Sequence, residues 1–272
     1  MNQLVRTLKT GYEMPLLGFG TWKLWDRECV NGVTAALEMG YRCLDTAHMY
    51  GNHREVGKAL SRFEREDIFV TSKVPPTRLR RDDVVATCEQ DLRDLGLDYL
   101  DLYLVHWPNP DIPMEEPFAG FAELIDRGLV RSVGVSNFII ERVQRAMDVS
   151  EVPVCVNQVE FHPLLYQQEL LQYCNSHDVV MTAHCPLART KAFELEEIQH
   201  LAEKRDRTPA QICLRWLVQK GITVIPKSKS PDRIRENMQI FGWELSDEDM
   251  AAIDDIQRHH RIRDEAVGNF PD

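Results

Sequence analysis

Short hydrophobic runs alternate with amphipathic stretches along most of the chain. The runs are rich in β-branched and aromatic residues, which is typical of buried strands. The stretches between them repeat apolar residues at helical spacing, as in DDVVATCEQDLRDLG, which precedes the strand-like run DYLDLYLVHWP at 98–108. Repeated strand–helix units of this kind predict a parallel sheet.

The pattern contains eight such runs, and this number decides the architecture. The predicted strands lie at 15–22, 42–47, 67–74, 98–108, 128–138, 152–161, 178–187 and 221–228. Eight units in 272 residues favour an α/β fold of the closed (β/α)8 TIM-barrel type. A doubly wound sheet is the alternative, but its usual GxGxxG loop is missing, because GFG at 18–20 has no third glycine at the required step.

Two further elements are predicted outside the repeated units. The segment VRTLKTGYEMPLLG reads as a β-hairpin with Thr10 and Gly11 near its turn. An extra C-terminal helix is expected over 246–256, because Ser246 and Asp249 have capping-box spacing. No linker or low-complexity segment interrupts the pattern, so we expect one domain over 1–272.

Composition narrows the class of protein. A net charge of −11 disfavours a general nucleic-acid binder. No apolar run approaches the ~20 residues of a membrane span, and the first residues lack a signal-peptide pattern. Seven scattered cysteines, without CxxC spacing, indicate free thiols and a cytoplasmic location.

Polar and aromatic side chains stand where the predicted strands end. These residues are Thr21, Trp22, Asp45, Tyr50, Lys73, His106, Trp107, Ser136, Asn137, Asn157, Gln158, His184, Lys227 and Ser228. In a barrel the carboxyl ends of all strands meet on one face, which is where barrel active sites lie. The sequence therefore predicts a shared site at that face.

Four of these residues form a set that suits proton transfer: Asp45, Tyr50, Lys73 and His106. Asp45 and Tyr50 alone are equally typical of a capped turn before a helix. Together with Lys73 they suit acid catalysis, because a nearby ammonium makes a phenol a stronger acid and a carboxylate holds that ammonium in place. His106 can orient a substrate carbonyl. The set can protonate an oxygen that is becoming an alkoxide, but it supplies no hydride.

Over nearly its whole length the chain resembles the aldo-keto reductase family. The matching motifs are GYRCLDTAHMYGN, FVTSKV, LVHWP, GLVRSVGVSNF, VNQVEFHPLL and IPKSKSPDRIRENM. The compact size is similar to the bacterial branch that includes diketogluconate and methylglyoxal reductases. The resemblance implies reduction of a small-molecule carbonyl by hydride from a nicotinamide, with Tyr50 as the acid.

The same resemblance implies the cofactor contacts. Ser136, Asn137 and Gln158 match residues that hold the nicotinamide carboxamide. Contacts to a 2′-phosphate and to adenine are implied for Lys227, Ser228, Arg233, Glu236 and Asn237, and further cofactor contacts are expected at Thr21, Trp22 and Ser230. Four basic residues within 227–235 of an acidic chain favour NADPH and NADP⁺ over the unphosphorylated cofactor.

Three departures from the family pattern affect the pocket. His184 stands where the family usually has an aromatic residue that stacks on the nicotinamide. His53 replaces a common glutamate, and we interpret it as a supporting or surface residue. The segment 185–193 and the C-terminus are short, so we expect an open pocket lined by Trp22, Met49 and Trp107, with Phe270 as a further candidate.

Two other functions remain open from the sequence. One is a cofactor-binding regulatory barrel without turnover. The other is a metal-dependent hydrolase using His106, His162, His184 and Asp45, although the chain lacks an HxH on an early strand. We expect no metal, no nucleic-acid or membrane partner, and a monomer.

Overall fold

The computed structural model describes residues 4–256 and 258–262. An antiparallel pair comes first, β1 (Val5–Thr7) and β2 (Glu13–Pro15). The main sheet has eight parallel strands that are neighbours in chain order: β3 (Phe19–Gly20), β4 (Cys43–Asp45), β5 (Phe69–Val74), β6 (Leu102–Val105), β7 (Val133–Ser136), β8 (Val154–Glu160), β9 (Val180–His184) and β10 (Thr223–Val224).

The sheet closes on itself, which makes it a barrel. Leu17, just before β3, forms a parallel bridge with Val224 of β10. The backbone N–H of Gly18 donates to the carbonyl of Val224 at 2.8 Å, and the N–H of Val224 donates to the carbonyl of Leu16 at 2.9 Å. The predicted (β/α)8 fold is confirmed, and the doubly wound alternative is wrong.

Helices follow the strands and pack around the barrel. They are α1 (Asp26–Glu38), α2 (His53–Leu60), α3 (Arg81–Leu95), α4 (Glu115–Asp126), α5 (Ile140–Val149), α6 (Gln168–Ser176), α7 (Glu196–Arg205), α8 (Pro209–Gln219), α9 (Pro231–Met238) and α10 (Asp247–Asp254). Their buried faces join the outward faces of the strands in one large apolar cluster. None of the helices in the described part of the chain is long and apolar enough to cross a bilayer.

The N-terminal hairpin closes the end of the barrel opposite the strand carboxyl ends. Its turn has Gly11 at a φ of +85°, a left-handed conformation that glycine adopts without strain. Leu8 and Met14 of the hairpin are buried against Cys43 and Phe69, the first residues of β4 and β5. The hairpin prediction is confirmed, and this end is filled with apolar side chains.

The predicted C-terminal helix is also confirmed as α10. Ser246 and Asp249 form a capping box, in which each side chain accepts a hydrogen bond from the other's backbone N–H. The same Asp249 carboxylate accepts hydrogen bonds from Lys204 and Arg205 of α7, so the cap also fixes the helix to its neighbour. All seven cysteines are free thiols.

Candidate active site

The carboxyl ends of the strands surround one cavity of about 750 Å³. Most of the residues predicted from the strand ends line it. The predicted residues in its wall are Trp22, Asp45, Tyr50, His106, Trp107, Ser136, Asn137, Gln158, His184, Lys227, Ser228, Ser230, Arg233, Glu236 and Asn237. The parallel barrel therefore brings together side chains as far apart in sequence as Trp22 and Asn237.

A buried ion pair lies at the floor of this cavity. The Lys73 ammonium donates to Asp45 Oδ1 at 2.6 Å and to the carbonyl of Thr46 at 2.8 Å. Lys73 is wholly buried and Asp45 nearly so. The other Asp45 oxygen accepts a hydrogen bond from Gln158 Nε2 at 2.7 Å. Both charges are thus compensated, which a buried pair requires.

Tyr50 is the last residue of a 3-10 turn, His48–Tyr50, that follows β4. Its ring lies beside two other members of the predicted set. The Lys73 ammonium is 5.1 Å from the ring centroid, and the His106 ring meets it edge-on with centroids 5.7 Å apart. The structure therefore gathers the four predicted catalytic residues in one place.

Asn52 fixes the position of this turn, and the sequence analysis did not identify it. The buried Asn52 amide donates to the carbonyls of Thr21 and Leu24, both at 2.9 Å. Its oxygen accepts from Thr46 Oγ1 at 3.1 Å. One amide thus ties the Tyr50 turn to the loop after β3. Its place in the YGN motif was the only signal in the sequence.

Amides and one hydroxyl from β7 and β8 form another part of the cavity wall. Asn137 Nδ2 donates to the carbonyl of His106 and to Ser136 Oγ, each at 3.0 Å, and Ser136 Oγ donates to the carbonyl of Gln158. Asn137 has a φ of +63°, which asparagine tolerates better than most residues. These contacts hold amide groups at the edge of the cavity, where they can bind another amide.

His184 forms part of the same wall. It ends β9 and is partly exposed to the cavity. Its Nε2 lies 2.9 Å from Asn137 Oδ1, so the two side chains orient each other. Stacking of His184 on a nicotinamide stays a prediction.

The far end of the cavity is cationic. Ser230 caps α9 by accepting from the backbone N–H of Arg233, and Ser228 Oγ accepts from the N–H of Ser230. Lys229 pairs with Glu28, whereas Lys227 and Arg233 form no ion pair with any other described residue. Burial and, less strongly, the charge of Lys229 lower the pKa of the Lys227 ammonium. Two cations and two hydroxyls at a helix start suit an anion.

Glu236 and Asn237 of α9 complete this end. Asn237 is buried at the edge of the cavity. The Glu236 carboxylate accepts from Thr208 Oγ1, and its backbone carbonyl accepts from Gln211 Nε2 at 3.2 Å. The Thr208 contact fixes the direction of a polar side chain at the cavity edge.

Three predicted residues are placed differently from the rest. Met49 is 54% exposed and is not part of the cavity wall. Thr21 is buried, and its hydroxyl donates to the carbonyl of Asp45 at 3.0 Å, so it supports the site from behind. Phe270 lies outside the described residues.

The structure adds two cations that the sequence analysis missed. The Lys23 ammonium lies 4.5 Å from the Trp22 ring centroid, and the Arg189 guanidinium lies 5.3 Å from it. Both residues line the cavity between the cationic end and the Tyr50 turn. Arg189 belongs to a 3-10 segment, Ala188–Glu194, in which Arg189 and Thr190 have left-handed backbone angles. Such angles cannot be read from the sequence CPLARTKAF.

A second polar cluster lies behind the Tyr50 turn. It consists of His48, His53 and Asp91, whose ligand-type atoms all lie within 4.8 Å of one another. His53 is buried rather than on the surface. The residues weighed for a hydrolase, His106, His162, His184 and Asp45, form no such group among the described residues.

Comparison with known proteins agrees with this geometry. Residues 16–258 match the model of the aldo/keto reductase family. The chain is 40% identical to the glyoxal reductase of Bacillus subtilis, with 97% of this chain and 95% of that protein covered. An aldo-keto reductase from a deep-sea metagenome superposes with a TM-score of 0.93, at 36% identity over 98% of this chain and 100% of that one. A Bombyx mori aldo-keto reductase solved in complex with NADP superposes with a TM-score of 0.91. It is 31% identical, with 97% of this chain and 96% of that one covered.

Proposed function

Because the chain belongs to the aldo/keto reductase family, we propose that it is an NADPH-dependent carbonyl reductase in which Tyr50 is the general acid. One observation carries this proposal. The Tyr50 ring stands beside the Lys73 ammonium and the His106 ring, at one end of a cavity whose other end is cationic. That arrangement combines a proton donor with a place for a phosphorylated cofactor.

Each residue of the set has a distinct role in the proposed reaction. Asp45 keeps Lys73 charged and fixed, and the ammonium stabilises negative charge on the Tyr50 oxygen. His106 donates a hydrogen bond to the substrate carbonyl oxygen and orients it. Tyr50 then gives its proton to that oxygen as the carbonyl carbon is reduced. NADPH, when bound, supplies the hydride.

The residues present fit NADPH. Asn137, Ser136 and Gln158 offer amide and hydroxyl groups beside Tyr50, which suits a carboxamide. Lys227 and Arg233, with Ser228 and Ser230, offer unneutralised charge and hydroxyls for a 2′-phosphate. The unphosphorylated cofactor would leave those cations without a partner, so we expect a strong preference for NADPH.

The substrate class proposed is small aldehydes and dicarbonyls, as for the bacterial branch that includes diketogluconate and methylglyoxal reductases. Trp22 and Trp107 give the cavity an apolar wall next to Tyr50. The similarity to a glyoxal reductase supports the same class. Met49, at the exposed rim, can contact only larger substrates. We also propose that the enzyme works as a cytoplasmic monomer without nucleic-acid or membrane partners.

The test is NADPH oxidation with a panel of aldehydes, dicarbonyls, keto esters and keto sugars, with NADH alongside. We expect turnover of small aldehydes and dicarbonyls with NADPH and much weaker turnover with NADH. NADPH binding without oxidation by any carbonyl would contradict the proposal and favour a regulatory barrel without turnover.

A further inference from the structure

The cluster behind the Tyr50 turn brings two histidines to one buried carboxylate. His48 Nδ1 lies 2.6 Å and His53 Nδ1 lies 3.3 Å from the same oxygen, Asp91 Oδ1. The carboxylate is wholly buried, and its other oxygen accepts from Ser72 Oγ at 2.9 Å. Two imidazoles thus converge on one buried carboxylate oxygen, and His53 Nε2 lies 3.2 Å from Ser72 Oγ.

We propose that His48, His53 and Asp91 form a binding site for a divalent transition-metal ion of the zinc class, and that its occupation slows the reductase. Binding is independent of the proposed function, whereas the slowing rests on it. Two imidazole nitrogens and one carboxylate oxygen are ligands that zinc and its neighbours accept, and magnesium prefers an all-oxygen set.

One of the distances between the ligand atoms is already that of a zinc site. Tetrahedral zinc with bonds of about 2.0 Å places its ligands about 3.3 Å apart. The separation of His53 Nδ1 from Asp91 Oδ1 is already 3.3 Å. All three ligand atoms lie within 4.8 Å of one another, so small rotations of the rings complete the set. The Ser72 hydroxyl supplies the outer hydrogen bond that commonly orients a ligating carboxylate.

The cluster lies outside the barrel interior and can be reached from the surface. Ser72 and Lys73 are consecutive in β5, so their side chains point to opposite faces of the sheet. The Lys73 ammonium faces the cavity, and Ser72 faces α2 and α3, which carry His53 and Asp91. His48 keeps 26% of its side chain exposed, which gives an ion a path to the site.

The position of His48 links the site to catalysis. His48 Nδ1 is 2.6 Å from Asp91 Oδ1, which is about 0.7 Å closer than two zinc ligands stand. Binding a metal therefore moves His48 outward, and His48 begins the 3-10 turn that ends at Tyr50. A misplacement of about 1 Å at a reacting group can lower a rate by about 100-fold, so a shift of this turn that reaches Tyr50 slows the reaction.

Cobalt is the probe for binding, since its absorption reports its ligands. Titration of the purified protein with Co²⁺ should show one equivalent with visible d–d bands and no sulfur-to-cobalt charge transfer. His53→Gln, which keeps a hydrogen-bonding group near Ser72, should weaken binding by more than about tenfold, the smallest loss typical even of residues that only support a ligand. His177→Gln changes an exposed histidine elsewhere and should leave binding unchanged. Equal affinity in the parent and His53→Gln, or a thiolate band from Cys185, would overturn the site.

Zinc then tests the link to turnover. Saturating Zn²⁺ should lower the rate of NADPH oxidation by roughly tenfold or more in the parent and in His177→Gln, and much less in His53→Gln. Mg²⁺ should have no such effect. If cobalt binds at this site but zinc leaves the rate of NADPH oxidation unchanged, the proposed effect of the metal on turnover is wrong. The cobalt result decides the metal site even if the protein reduces no carbonyl.

Discussion

Lys73 is a fully buried lysine whose charge is held by two oxygens, those of Asp45 and of the Thr46 carbonyl. A buried ion pair of this kind adds little net stability, because removing two charges from water is costly. Removal of one partner is much worse, since the other charge stays buried. We therefore interpret the pair as serving the proposed reaction rather than the stability of the fold.

Lys73→Met tests this reading. We expect loss of most turnover and also a fall of about 3–5 kcal/mol in the free energy of unfolding, because the buried Asp45 carboxylate loses its cationic partner and keeps the hydrogen bond from Gln158. Urea denaturation and steady-state kinetics measure the two effects. A variant as stable as the parent would show that Asp45 takes up a proton or finds another cation.

Arg233 and Arg235 provide a matched pair on α9 for the cofactor contact. Arg233 has no ion-pair partner among the described residues and lines the cavity, whereas Arg235 pairs with Asp232. Arg233→Ala should weaken the binding of NADPH by ~1.5–3 kcal/mol, because a charged hydrogen bond to the 2′-phosphate is lost. The binding of NADH should change little. Arg235→Ala should change neither. Dissociation constants of both cofactors can be measured by quenching of tryptophan fluorescence. If Arg233→Ala weakened the binding of NADPH and NADH equally, Arg233 would lie away from the phosphate.

At the residue scale the sequence predicted which side chains meet but not which way each one points. The tetrad and the amide wall were predictable because parallel strands in a barrel end on one face. Met49 was not, because successive residues of a 3-10 turn point in three different directions and only Tyr50 faces the cavity. The contact of His48 and His53 with Asp91 joins three elements, and no spacing within the chain reveals it.

Among the elements, α10 depends on one carboxylate. Burial acts to raise the pKa of Asp249, but hydrogen bonds from Lys204, Arg205 and the Ser246 N–H outweigh it and lower the pKa from 3.8 to about 2. A lowered pKa stabilises the folded state above pH 3.8, and the contribution, about 2 kcal/mol, is lost as the pH falls towards 2.

Asp249→Asn isolates this contribution because it removes the charge and keeps an oxygen for the cap. The variant should be less stable than the parent at pH 6 by up to about 2 kcal/mol, and the difference should shrink as the pH is lowered through the range from 3.8 to about 2. Denaturant unfolding at several pH values measures it. A difference that does not depend on pH would mean that the charge of Asp249 has no part in holding α10 to α7.

The sequence predicted which strands exist better than it predicted where each strand begins and ends. Each predicted strand contains an observed one, but β3 and β10 have only two residues each inside predicted ranges of eight. The hydrophobic runs continue past the hydrogen-bonded ladder, because residues that enter or leave a barrel are buried too. The left-handed angles of Arg189 and Thr190 have no local signal in the sequence.

At the scale of the whole molecule, the charge is distributed unevenly. The net charge is −11, yet Lys23, Arg189, Lys227 and Arg233 all line one cavity. An acidic protein with a cationic cleft attracts an anionic ligand to that cleft and repels it elsewhere. Lys227 and Arg233 are close in the sequence, and the barrel topology brings Lys23 and Arg189 to the same cavity.

This distribution predicts a salt effect that depends on the cofactor. Raising NaCl from about 0.05 M to about 0.5 M shortens the screening length severalfold and should weaken NADPH more than NADH, because only NADPH has the 2′-phosphate. Fluorescence titration at several salt concentrations shows how the dissociation constant of each cofactor depends on salt. Arg233→Ala should reduce this slope for NADPH. Identical slopes for the two cofactors would argue against a phosphate site at Lys227 and Arg233.

The most direct test of the whole account is Tyr50→Phe, because it removes one hydroxyl and keeps the ring that packs against His106. The variant should bind NADPH as the parent does and should reduce small aldehydes and dicarbonyls at least about 100-fold more slowly, which is the usual contribution of a positioned acid. Stopped-flow measurement of NADPH oxidation, with cofactor binding measured on the same samples, separates the two effects. Turnover near the parent rate with NADPH bound would contradict the assignment of Tyr50 as the proton donor.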